Sequence, residues 1–371
     1  MLENTTTPRI FVAATRQNDG KTTTSVGLYA CLKKQFERVG YIKPVGQRFV
    51  EINGKKIDED TVLINHTYQP GLPLEAMSPI AVDPWFTRYY LDQGDPAELE
   101  GKVQTAFNRA AWEQDFIVIE GSGHAGVGSV FNMSNAQVAG ALESKAIIVS
   151  RGGVGKPLDE VSLNLALFEK YNVEVIGVIL NQVLEHKVET LYPYAERGLN
   201  RMGLNLLGII PLKHELLKPT FNQICIELDG RWLLGAREHQ RRRVGKVMIG
   251  NTTPENMDIY RIKGGLIITS GDREEFLSAL VEKAAENPEW KSIAGVVLTL
   301  GFLPKDSLME ELKKLDIPIL SVEMDAFQVA SRINRMTVKT EPSDHDKIGI
   351  IQDLVDTHVD VSKIISEAKA D

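Results

Sequence analysis

Short apolar, β-branched runs recur along this chain, separated by longer stretches in which apolar residues repeat at helical spacing. The runs Arg9–Ala14, Phe36–Ile42, Asp115–Glu120, Ala146–Ser150, Val173–Leu180 and Asn205–Pro211 are bounded by Gly, Pro or polar residues. Their apolar character is continuous rather than alternating, which predicts strands buried on both faces, as in a parallel sheet. Between them, Thr22–Gln35, Ala97–Glu113, Asn135–Ser144 and Asp159–Tyr171 repeat with the period of an amphipathic helix. This alternation predicts an α/β fold, a doubly wound and mostly parallel sheet reaching to about residue 228.

A second, smaller α/β series follows. Strands are predicted at Lys246–Ile249, Gly265–Thr269, Ile293–Leu300 and Ile317–Val322, and helices at Glu274–Ala285, Lys305–Leu315, Ala326–Arg335 and Asp346–His358. Ser343 and Asp346 have the spacing of a capping box at the start of the last helix. The stretch Leu228–Lys246 holds Arg237, His239, Arg241, Arg242, Arg243 and Lys246, and the domain boundary falls in it, giving domains 1–228 and 229–371. Arg241–Arg243 reads as a solvated helix face, with a phosphate or partner site as the alternative.

Composition narrows the function classes. A chain of 371 residues, 43% hydrophobic and 25% charged, has ample core for two or three domains and none of the bias of a disordered chain. A net charge of −8 leaves no electrostatic footprint for nucleic acid or an anionic membrane. No apolar stretch approaches the roughly 18 residues of a membrane span, and the N-terminus lacks signal-peptide character. A soluble, cytoplasmic protein is expected. Cys31 and Cys225 read as small buried hydrophobes in a reducing compartment, and His124, His214, His239 and His345 lack metal-ligand spacing.

Chemistry concentrates after three predicted strands. The run from Ala14 through Thr15, Asp19, Gly20, Lys21 and Thr22 joins the first strand to the first long helix, as a phosphate-binding loop must. Its N–H groups and helix dipole would hold phosphate, Lys21 would reach the outer phosphates, and Thr22 would ligate Mg²⁺. The usual pattern has Gly where Thr15 stands; a helix N-terminus that merely reads Asp-Gly-Lys-Thr is the alternative. Lys43, before Pro44 and after the second strand, could place a cation over developing negative charge, or be a solvated strand end. Glu120 ends an apolar strand, where nucleotide-hydrolysing folds keep a metal-organising carboxylate, and Asp60 is a second candidate that also suits a helix N-terminus. Gly121, Gly123 and Gly126 match the dinucleotide fingerprint. However, the next helix starts only near Asn135 and Glu143 lies inside it, against a Rossmann oxidoreductase.

The series Gly20-Lys21-Thr22, Lys43-Pro44-Val45, Asp60, Glu120-Gly121-Ser122-Gly123, Gly177–Asn181 and Leu207–Pro211 resembles dethiobiotin synthetase over roughly residues 8–215. The same set occurs in the N-terminal region of long phosphotransacetylases. The resemblance implies a cofactor site for ATP or a related nucleotide at Thr15, Asp19, Gly20, Lys21, Thr22, Thr23, Asn181 and Pro211, with Asn181 reading adenine. It also implies Mg²⁺ at Thr22, Asp60 and Glu120, and Lys43 and Lys21 as catalytic residues, Lys43 neutralising an acyl phosphate or carbamate. Ala14 stands for the family's leading Gly, and Gly46, Gln47 and Arg48 depart from its substrate segment. Dethiobiotin synthesis itself is therefore not expected.

In the second half, Gly265–Glu274, Gly295–Gly301, Ile317–Val322, Asp325-Ala326-Phe327 and Asp344–Lys347 resemble the DRTGG domain of long phosphotransacetylases. Gly271, Asp272 and Arg273 are then a small-ligand or interface loop, or simply a cap entering a helix. At 371 residues the chain leaves no room for a transacetylase domain, so acetyl transfer is not expected. Two functions follow: a nucleotide-binding regulatory protein, a homodimer acting on a partner enzyme, or an ATP-dependent ligase that activates a carboxylate substrate.

Overall fold

In the computed structural model, which describes residues 4–235 and 239–370, the chain divides into two units: residues up to 213 together with those from 340 onward, and residues 214–339. The first unit's strands are β1 (Arg9–Ala14), β2 (Val39–Ile42), β3 (Val45–Gly46), β4 (Phe49–Ile52), β5 (Lys55–Asp58), β6 (Ile80–Ala81), β7 (Phe116–Glu120), β8 (Lys145–Arg151), β9 (Val175–Val183) and β10 (Asn205–Pro211). Its helices are α1 (Lys21–Lys33), α2 (Glu59–Tyr68), α3 (Leu74–Met77), α4 (Phe86–Gln93), α5 (Pro96–Ala111), α6 (Asn135–Ala141), α7 (Lys156–Lys170) and α8 (Val188–Asn200). The main sheet has the order β10-β9-β8-β1-β7-β2, every pair parallel. Every residue of β1, β2 and β7 is buried, as the continuous apolar runs require. The chain winds outward from β1 to β2 and then from β8 to β10. The sheet is therefore doubly wound, with its switch point where β1 meets β8.

Local chemistry starts the helices. Asp95 accepts from the Ala97 N–H, with Pro96 at the first helical position of α5, and Ser134 with Gln137 forms a capping box on α6. The hairpin β4–β5 turns at Asn53-Gly54, both left-handed, the turn whose twist suits a tight hairpin.

The second unit contains α9 (Phe221–Glu227), β11 (Arg231–Leu234), β12 (Lys246–Ile249), β13 (Gly265–Ser270), β14 (Gly295–Thr299), β15 (Ile319–Ser321), α10 (Glu274–Glu286), α11 (Asp306–Leu312) and α12 (Ala326–Arg335). Its sheet runs β11-β15-β14-β13-β12, parallel except for β11. One face packs Phe276, Leu280 and Leu312 from α10 and α11, and the other packs Phe221, Ile224, Val329 and Ile333 from α9 and α12.

Two sequence expectations change here. Residues 214–228, read as the end of the first domain, belong to the second unit, because Phe221 and Ile224 fill its core. Among the described residues of the Arg-rich stretch none is helical, and the division between the two units falls before it, at residue 214. Arg242 donates to the carbonyls of Lys291, Ile293 and Asp316 and pairs with the Asp316 carboxylate, and Arg243 bridges to Thr220. Arg237 lies outside the described residues.

The larger difference is at the C-terminal end. Residues from 340 onward, read as part of the second domain, return to the first unit as α13 (His345–His358) and α14 (Val361–Lys369). The helix starts at His345 with Asp344 at its N-cap, rather than from Ser343. α13 lies on α1 so closely that a Cβ at Gly27 would stand 2.3 Å from Val355 Cγ2. Cys31 Sγ donates to Asp356, and Gln352 Nε2 donates to Tyr68, whose hydroxyl donates to the Val26 carbonyl of α1. Among the described residues, no helix is long and apolar enough to cross a membrane.

Candidate functional site

At the carboxyl end of β1 the chain turns through residues 15–20 and enters α1 at Lys21. Thr15 N–H donates to the Val149 carbonyl, and its hydroxyl donates to Asp19 Oδ2 at 2.8 Å and lies 3.0 Å from Ser150 Oγ. Arg151 pairs with the other Asp19 oxygen at 3.2 Å. Asn18 and Gly20 are left-handed, with φ of +65° and +100°. Gly20 is required on two grounds: that φ favours glycine, and a Cβ would fall 1.8 Å from Asn181 Nδ2.

Next to the loop, three strand ends deliver charge. Lys43 follows β2, Glu120 ends β7, and the hairpin carries Asp58 to the N-cap of α2, where its side chain accepts from the Asp60 N–H. Lys43 is 6% exposed. Its ammonium lies 3.2 Å from Asp58 Oδ1 and 3.5 Å from Glu120 Oε1 and is hydrogen-bonded to Asp60. Burial opposes its charge, but Asp60, Glu120 and Asp58 together outweigh it and hold the ammonium raised. Burial in turn raises the Glu120 and Asp58 carboxyls, against the pull of Lys43.

Glu120 also accepts from the Thr22 hydroxyl at 2.8 Å and from Tyr41 OH at 3.0 Å. Lys21 is buried as well, and burial lowers its ammonium to about 8, with Glu120 pulling up and Lys43 pushing down. The structure thus brings Thr15, Asp19, Gly20, Lys21, Thr22, Lys43, Asp60 and Glu120 together. Thr23 follows half-buried on α1, and Pro211 closes β10 opposite Val183, one strand beyond Asn181. Asp58 and Tyr41 belong to the same cluster and were not among the sequence candidates. For Asp58 a signal existed, since Asn53-Gly54 between polar–apolar alternations marks a hairpin that ends on it.

Thr22, Asp60 and Glu120 offer only hard oxygen donors, the set that suits Mg²⁺ rather than a soft metal. Among the described residues, no three His, Cys, Asp or Glu side chains form a group that could hold a metal ion alone. The set fits a cation whose shell phosphate oxygens complete.

In the second unit, Arg273 donates to the Gly250 and Thr252 carbonyls and stacks over Phe276. Gly271 sits where a Cβ would meet the Phe302 carbonyl oxygen at 1.9 Å, and Ser270 Oγ donates to Asp272. Packing accounts for Gly271 and Arg273, while Arg273, the N-cap residue of α10, makes no side-chain capping bond.

A parallel sheet with a strand, a tight loop, Gly-Lys-Thr and a helix at its switch point defines a P-loop nucleotide-binding domain. The chain belongs to the AAA_26 family of AAA domains, matched over residues 8–220, and a DRTGG domain is matched over residues 223–336. It is 27% identical over 366 residues to the phosphate acetyltransferase of Pseudomonas putida, covering 95% of this chain and 50% of that protein. The phosphate acetyltransferase of Nitratidesulfovibrio vulgaris is 24% identical over 368 residues, covering 96% and 51%. The chain spans about half the length of these relatives and is related to their N-terminal region. Among solved structures it resembles septum site-determining protein MinD complexed with Mg-ADP from Pyrococcus horikoshii. That match is 17% identical with a TM-score of 0.35 and covers 57% of this chain and 84% of that one.

Proposed function

We propose that this chain is a nucleotide-dependent regulatory module that binds ATP with Mg²⁺, rather than a ligase that activates a carboxylate. The observation that carries this reading is the environment of Lys43. Its ammonium is buried and surrounded by Asp58, Asp60 and Glu120, so its charge is already balanced within the fold. A carboxylate or acyl phosphate approaching it would meet those three acids as well. Lys21, whose charge burial and Lys43 oppose while Glu120 supports it, stands with the loop at the N-terminus of α1, a position that suits phosphate. Thr22 and Glu120 would hold Mg²⁺ through phosphate oxygens, which would lower the charge on a bound triphosphate. Sensing rather than acetyl transfer, a cytoplasmic homodimer and a regulated partner enzyme belong to the same proposal, supported by the family relationship alone.

Calorimetry with Mg-ATP, alongside ADP release with and without carboxylates, tests it on wild type and Lys21→Ala. Binding without turnover, lost in Lys21→Ala, is the expected result. ADP release that requires a carboxylate and disappears in Lys43→Met would establish the ligase instead. Absence of Mg-ATP binding in wild type would remove both.

A further inference from the structure

We infer that Asn181 and Gln182, at the end of β9, are positioning residues that set the direction of the phosphate loop's N–H groups, a role that rests on the nucleotide reading above. Asn18 in the loop holds a left-handed backbone at φ +65°, and Gln182 facing it is left-handed too, at φ +58°. Such conformations persist where neighbouring contacts over-determine them. Here Asn181 Nδ2 donates to the Asp19 carbonyl at 2.9 Å, and Gln182 Nε2 donates to the Asn18 carbonyl at 3.4 Å. The Gln182 N–H donates to Asn181 Oδ1 at 2.8 Å, which turns the Asn181 nitrogen toward the loop and settles which amide atom is which. The Asn181 carbonyl accepts from Gly152 N–H, so β8 anchors the pair.

A planar trans peptide points its N–H opposite to its C=O. None of the described peptides is cis. Drawing the Asn18 and Asp19 carbonyls toward β9 therefore sends the Asp19 and Gly20 N–H groups away from β9, as donors for phosphate. Asn181 is only 4% exposed, with its oxygen and nitrogen both engaged, which leaves it poorly placed to read a base.

Amide hydrogen exchange of the full ligand-free chain tests the staple directly. In Asn181→Ala, exchange across residues 15–22 is expected to rise about tenfold, the scale of one lost hydrogen bond. Calorimetry then compares Mg-ATP, Mg-GTP and inorganic tripolyphosphate with Mg²⁺. All three dissociation constants are expected to rise by a similar factor at unchanged stoichiometry, which a partly unfolded sample would not show. Unchanged exchange overturns the inference, and so does weaker ATP binding with tripolyphosphate unaffected, which would make Asn181 a base reader. If Asn181→Ala misfolds, Gln182→Ala decides: roughly threefold faster exchange supports the staple, and none overturns it. A wild type that binds none of the three ligands removes the nucleotide reading, while the exchange result still decides the staple.

Discussion

Replacing Lys43 by Met removes the ammonium that is ion-paired with Asp58, Asp60 and Glu120 while keeping a side chain of similar length. At an effective dielectric near 20, charges 3.2 and 3.5 Å apart each attract by about 5 kcal/mol, opposed by a desolvation cost of several kcal/mol per ion. Breaking such a buried set by deleting one partner typically costs about 3–5 kcal/mol, because the remaining charges stay buried. For a domain of this size that lowers Tm by about 10 °C. The pH dependence carries the sharper test. Glu120 and Asp58 already titrate above their usual range, so the folded state holds protons that the unfolded state has lost, and stability falls as pH rises through that window. Without Lys43 those carboxyls rise further. The deficit of Lys43→Met is therefore expected to be largest at the alkaline end and to shrink on acidification, as protonation discharges the cluster. Differential scanning calorimetry of both proteins between pH 5 and 8 reads this. A Tm within about 2 °C of wild type at pH 8, or a deficit that grows on acidification, would refute the electrostatic account.

Three further outcomes follow from the geometry. Because burial lowers Lys21 to about 8, Mg-ATP affinity should hold below that pH and fall up to tenfold per unit above it, as binding must then take up a proton. Calorimetry across pH 7–9 checks this, and a flat profile sinks it. Gly27→Leu drives a side chain into Val355 and should cost about 3 kcal/mol, partly restored by Val355→Ala in the double variant; additive costs in a double-mutant cycle would contradict the α1–α13 contact. Arg242→Ala leaves the carbonyls of Lys291, Ile293 and Asp316 without their charged donor and should destabilise the second unit by about 2 kcal/mol in urea titration, a prediction lost if the change stays below about 0.5.

Much of this protein was legible in its residue pattern, because the informative signals are local. Continuous apolar runs marked the parallel strands, and Gly20-Lys21-Thr22 at a strand-to-helix junction marked the loop. Lys43 and Glu120 were found because they sit at the ends of two such strands. The Asn53-Gly54 turn was equally local, and reading it would have led to Asp58. The C-terminal helices could not be placed that way. The periodicity of α13 records that one face is buried, but Val355 and Ile351 would give the same pattern against any apolar surface, and only the tertiary structure sets them on α1. Arg242 reads as solvated until the carbonyls of three distant residues converge on it. Asn181 shows the same division: its position at a strand end was evident from sequence. That its amide meets the carbonyl of Asp19, 162 residues earlier, depends on β8 and β9 pairing side by side, a register that hydrophobic pattern alone leaves undetermined.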